Sequence, residues 1–177
     1  MKKFKVILLI IILSPLIAGI YGVLDSQLAY TISPEYFTKF KFVRAGIASG
    51  VNDRYEINKI GFYATWWIGL YMGIGISILS LIHSSSRQMR KISLQSMLIA
   101  TLVTFLMGMV GLGYGFVILS SEQINYFEDW FIPPDLQHYS CYIAVYSMHN
   151  FSFIGGAIGL MAAAGWHFFK REKVGRK

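Results

Sequence analysis

Four histidines and nine carboxylates carry most of the reactive chemistry in this chain of 177 residues. His138 and His149 lie near Asp135 and Glu128, whereas His83 and His167 stand at the far ends of their apolar runs. Paired histidines on facing helices are one way a bundle holds haem. Here His83 and His167 adjoin charged tails, and neither His138 nor His149 gains a partner on another helix, so no haem or other cofactor is expected. His138, His149, Asp135 and Glu128 follow no metal-ligand spacing either, and no metal is assigned.

The stretch MHNFSFIGG, residues 148–156, sets His149, Asn150 and Ser152 where the last apolar run begins. Polar side chains at that depth serve to hydrogen-bond other helices or loop backbone. The best polar grouping is Asp25, Gln27, Glu35, Lys39 and His149, provided the segment after the first apolar run folds back onto the start of the last one. Lys41 and Arg44 join it as contacts for phosphates, acids or a partner. No nucleophile with its base and no facing carboxylate pair can be assembled, and no catalytic residue is assigned. GLGYG at 111–115 lies inside an apolar run with no strand before it, which removes the phosphate-loop reading. A single cysteine, Cys141, excludes an internal disulfide and thiol-pair redox chemistry and is expected to pack as a small hydrophobe.

These residues must be positioned by elements built for lipid. The chain is 55% hydrophobic and 16% aromatic, and segments free of Asp, Glu, Lys and Arg run over 6–24, 60–86, 92–121 and 136–169. About 20 apolar residues span hydrocarbon, and only a helix satisfies its own amides there. The expected fold is therefore an all-α integral membrane protein, a four-transmembrane-helix bundle with a small external cap of short amphipathic helix and loops. One membrane domain, 1–177, is expected, with spans at about 5–24, 58–83, 93–120 and 143–169 and external segments at about 25–57 and 121–142. The first run also has the look of a signal peptide, but its apolar residues continue through Leu24 without a clean cleavage site, so a retained helix is expected. No carboxylate, lysine or arginine is expected in the middle of any span, which argues against an ion channel or proton-coupled transporter.

Of the 16 cations, eleven fall on the side that holds both termini, and five fall on the other with eight of the nine acids. By the positive-inside rule both termini face the cytoplasm of a cell with an inner membrane, and the net charge of +7 records topology rather than nucleic-acid binding. Small residues four apart, Ala18 with Gly22, Gly69 with Gly73, Gly111 with Gly115 and Gly155 with Gly159, predict close helix contacts. The short connection HSSSRQMRK predicts an antiparallel hairpin of the second and third spans, with Ser85 and Gln88 as a capping box. In the first external segment Ser33, Pro34 and Glu35 read as a helix start, placing Tyr36, Phe40, Val43 and Ile47 on one face toward the apolar boundary, while the alternation of Lys39, Phe40, Lys41 and Phe42 gives a strand as the competing reading. Asn52 reads as the cap of the second span. Trp130, Phe131 and Tyr139 predict an aromatic loop at the headgroups, with a new helix opened by Pro133 and Pro134.

DSQLAYTISPEYFTKFKF after the first span, ATWWIGL at the start of the second and HNFSFIGG at the start of the fourth, an HNxSxxGG pattern, occur in that order. In these the chain resembles a family of bacterial four-helix inner-membrane proteins of unassigned activity. The resemblance implies an integral membrane protein with an external cap and no particular reaction. The function expected is thus non-enzymatic: an accessory or assembly component whose cap meets lipid headgroups or a partner, either another membrane protein or a second copy. A small oligomeric transporter or pore is the first alternative. An interfacial enzyme with His149 as base on a lipid-like substrate is the second, and it requires an open groove leading to His149 and lined by a carboxylate.

Overall fold

The structure, a computed structural model, describes residues 3–48, 50, 53–121 and 130–171. Four long helices carry the fold: α1 (Lys3–Ile32), α4 (Asp53–Ser80), α5 (Ser86–Val117) and α6 (Tyr139–Phe169), each long and apolar enough to cross a membrane. Between α1 and α4, the short α2 (Pro34–Tyr36) runs through a π-helical turn (Phe37–Lys41) into α3 (Phe42–Ala45). No strand occurs among the described residues. This is the all-α, four-helix architecture of a multi-pass membrane protein.

Helices extend past the points where hydropathy ends. α1 continues through Ile32, so Asp25 and Gln27, expected in the external segment, belong to its last two turns, and Asp25 is buried there. α6 begins at Tyr139, several residues after the prolines rather than at them. Asn52 and Glu128 lie outside the described residues.

Glycine decides which helices pair. A Cβ at Gly69 would stand 2.6 Å from the Ser14 carbonyl oxygen, and one at Gly73 would stand 2.7 Å from Ser14 Cβ, which fixes α4 on α1. A Cβ at Gly115 would meet Ala144 Cα at 2.5 Å and one at Gly159 would meet the Ala100 oxygen at 2.8 Å, while Gly111 and Gly155 press on Phe151 and Met107 in the same seam. Such contacts replace the hydrophobic drive that lipid removes. The result is two tight pairs, α1 with α4 and α5 with α6, that touch each other sparsely. Although a short turn joins α4 to α5, those two are not a close hairpin, because the glycine face of α4 is spent on α1. Ser85 accepts from the Gln88 N–H at 3.2 Å, but the Gln88 side chain donates to the Lys170 carbonyl, so only half of the capping box forms.

The cap folds as a helix from the signals in SPE. Ser33 accepts from the Tyr36 N–H at 3.4 Å, Pro34 takes the first helical position, and Gly46 closes the far end at φ 66°. The expected inward face shifts, however. The Phe42 N–H reaches back to the Phe37 carbonyl, and this wider π turn rotates Phe42 inward while Val43 is left 64% exposed. Tyr36, Phe37, Phe40 and Phe42 are buried against Ile57, Tyr142 and Met148, so the cap packs on the bundle end rather than on an apolar boundary. The aromatic loop joins it: Trp130 stacks on Tyr146 at 4.1 Å and Phe131 on Phe40 at 5.5 Å.

Candidate functional site

Asp25 lies two turns before the end of α1, one turn beyond Tyr21, whose hydroxyl donates to Asp25 Oδ1 at 3.2 Å. Across the seam between the pairs, α6 presents His149. Its Nδ1 stands 2.9 Å from the Val145 carbonyl, and since a carbonyl only accepts, Nδ1 carries the proton. Nε2 is thereby turned to Asp25 Oδ2 at 3.8 Å. That separation is within ion-pair reach and beyond a direct hydrogen bond. Tyr36 of the cap stacks on the imidazole at 5.0 Å and 22°, fixing its plane.

The five-residue grouping expected from the sequence divides in three. Asp25 and His149 meet, as above. Gln27 instead donates to Asn58 and to the Arg54 carbonyl, tying α1 to α4. Glu35 and Lys39 clamp the cap to the segment before α6: Glu35 accepts from the backbone N–H groups of Gln137 at 3.0 Å and His138 at 2.8 Å, and Lys39 bridges Glu35 and Asp135 at 3.0 Å each. Burial works to raise the Glu35 pKa, but the two N–H donors and Lys39 outweigh it and hold the carboxyl at about 2. Asn150 is half-buried on α6. Arg44 is exposed, its guanidinium 5.5 Å from the Phe40 ring centre. The Lys41 ammonium lies 5.2 Å from the Phe40 ring centre and 5.5 Å from that of Tyr36, and burial, with Arg44 beside it, pushes its pKa down.

Asp25, His149 and Lys41 line one end of a cavity of about 460 Å³ between the helix pairs. Tyr21 and Ser152 complete the polar end, and Ile68, Met72, Ile76, Met97 and Leu160 line its apolar length. From Gly61 to Ile76 the α4 wall covers about 22 Å at 1.5 Å per residue. An apolar cluster that includes Val6, Ile10, Ile76 and Met97 forms the floor. Trp67, Tyr71 and Phe153 also line the cavity and are 46%, 68% and 58% exposed, which sets its opening on the bundle flank between α4 and α6. Sequence reading missed the groove, and with it Tyr21 and the ring of Tyr36. The one available signal was Tyr21 four residues before an acid that ends an apolar run.

At the opposite end, where both were expected near the ends of their helices, His83 and His167 meet: His83 Nε2 and His167 Nδ1 are 2.9 Å from each other. That is a direct hydrogen bond between the two rings. No group of three or more metal-ligating side chains exists among the described residues. Fold and groove together define a multi-pass bundle of two helix pairs with a flank-opening, amphipathic groove. No protein-family model, curated protein or solved structure matches the chain.

Proposed function

We propose that this protein is a non-enzymatic accessory component of a bacterial inner membrane that takes the apolar chain of one lipid-like amphiphile into the groove and holds its polar end beneath the cap. The observation that carries this reading is the groove's two-part lining, charged and polar at Tyr21, Asp25, Lys41 and His149 and mainly apolar for the remaining length, where the hydroxyls of Ser14, Thr65, Thr101 and Thr104 are taken up by helix carbonyls, with its opening on a face that lipid would cover. The excess of cations on the terminus side supports a cap outside the cytoplasm and both termini within it. All three stretches that carry the family resemblance contribute to the lining, through Asp25, Phe37 and Lys41, through Thr65 and Trp67, and through His149 and Gly156.

One further reading has its own support. Asp25 Oδ2 and His149 Nε2 face a common point at the polar end, which suits a general base acting on the headgroup of a bound lipid. The apolar floor beneath the groove argues against a pore.

Gly156 supplies the test, since it lines the groove and a Cβ there would meet nothing within 4 Å. Gly156→Phe should fill the groove without disturbing a helix contact. Lipid analysis of protein purified from native membranes in mild detergent should find an amphiphile at near one per chain with the wild type and several-fold less with Gly156→Phe. Equal lipid content in the two would refute the reading.

A further inference from the structure

Resting on that groove reading, we infer that its polar end selects an amphiphile with an acidic oxygen headgroup, a carboxylate or a phosphate, and that Lys41 is the residue that binds it. The argument is one of charge accounting. Lys39 meets Glu35 and Asp135, Lys59 meets Glu56, and Arg54 donates to Gln27 and Thr31. Lys41 and Arg44 differ: no carboxylate of the described residues stands within 4 Å of either, and they lie over aromatic faces, Lys41 over Tyr36 and Phe40 and Arg44 over Phe40. Two neighbouring cations, one of them partly withdrawn from water, raise each other's energy unless an anion joins them.

Lys41 is also the cation that lines the groove, on the same side as Phe37, four residues earlier in the π turn. The acid already in the site is answered from elsewhere, since Asp25 receives the Tyr21 hydroxyl and faces His149. An incoming headgroup anion would therefore find Lys41 at the polar end of the groove, with the exposed Arg44 three residues further along the cap. A charge-assisted hydrogen bond of this kind gives a preference of about tenfold or more over a neutral headgroup on the same chain.

The test uses the full chain in a nonionic detergent and four probes with one acyl chain: palmitate, palmitoyl lysophosphatidic acid, monopalmitoylglycerol and palmitoyl lysophosphatidylcholine. Bound fractions are read by native mass spectrometry. The expected result is a preference of about tenfold for one or both acidic probes, and which of them binds distinguishes a fatty-acid carboxylate from a lipid phosphate. Lys41→Met should reduce that preference to within about threefold while leaving monopalmitoylglycerol unaffected, Lys41→Arg should retain it, and the exposed-site change Arg44→Gln should weaken it partially. Equal binding of all four probes by the wild type would overturn the acidic selection and leave the groove standing. Binding of none, or binding that Gly156→Phe does not reduce, would instead remove the groove reading on which it rests.

Discussion

Asp25 and His149 are separated by 124 positions in the chain and share one polar end of the groove, each held by a local bond of its own helix, Tyr21 to Asp25 and His149 to Val145. Groups joined in one buried network do not contribute independently. Thermal melts in detergent of Asp25→Ala, His149→Ala and the double variant should give a coupling of about 1 kcal/mol, and strict additivity would mean that the two do not interact. Glu35 predicts a pH effect. Its folded pKa of about 2 lies below the ordinary 4.5, so the clamp contributes stability that is complete above about 4.5 and is lost as pH falls toward 2. Hydrogen exchange of the backbone N–H groups of Gln137 and His138 should accelerate relative to the intrinsic rate over that window, and Glu35→Gln should remove the pH dependence. The clamp was half legible in the sequence: Glu35 and Lys39 are one helical turn apart, but their third partner, Asp135, comes from 96 positions beyond Lys39. Asp25 was grouped with them because residue type marks where an apolar run ends, not where a helix does.

At the scale of elements, small-residue spacing identified the pairing faces, and the close approaches at Gly69, Gly73, Gly111, Gly115, Gly155 and Gly159 follow from it. GLGYG separates the two roles a helix glycine can have. Gly111 and Gly115 face α6, whereas a Cβ at Gly113 would meet nothing within 4 Å. Gly115→Val should therefore destabilise by at least about 1–3 kcal/mol, because the obstructing atom is the Ala144 backbone and cannot rotate away. Gly113→Ala should be neutral or stabilising by up to about 1 kcal/mol, from helix propensity alone. Melting temperatures of the two variants check the contrast, and similar losses in both would contradict it. What spacing did not reveal is which helix each glycine face would meet, since that depends on all four faces at once. The cap was legible as a helix from Ser33, Pro34 and Glu35, but its register was not. A π turn changes which residues share a face, and nothing in the local residue types announces one.

For the molecule as a whole, two tight pairs joined sparsely leave a space that neither pair closes. Strong glycine seams within each pair and larger side chains between them, such as Met72, Met97 and Leu160, produce the groove as a by-product of unequal packing. Hydropathy cannot distinguish a side chain that faces such a groove from one that faces lipid, because both are apolar; this is why the bundle was legible and its cavity was not. Met97 is 5% exposed and lines the groove, whereas its neighbours Leu98 and Leu102 on α5 are 60% and 51% exposed and line none of it. Photolabelling in a bilayer with a diazirine-bearing single-chain amphiphile tests the central claim directly. Residue-resolved mass spectrometry should find label concentrated at Met72, Met97 and Leu160, well above Leu98 and Leu102, and reduced at those three sites by Gly156→Phe. Uniform labelling of groove-lining and outward-facing residues, unchanged by Gly156→Phe, would contradict the claim that this bundle holds a lipid chain within its groove.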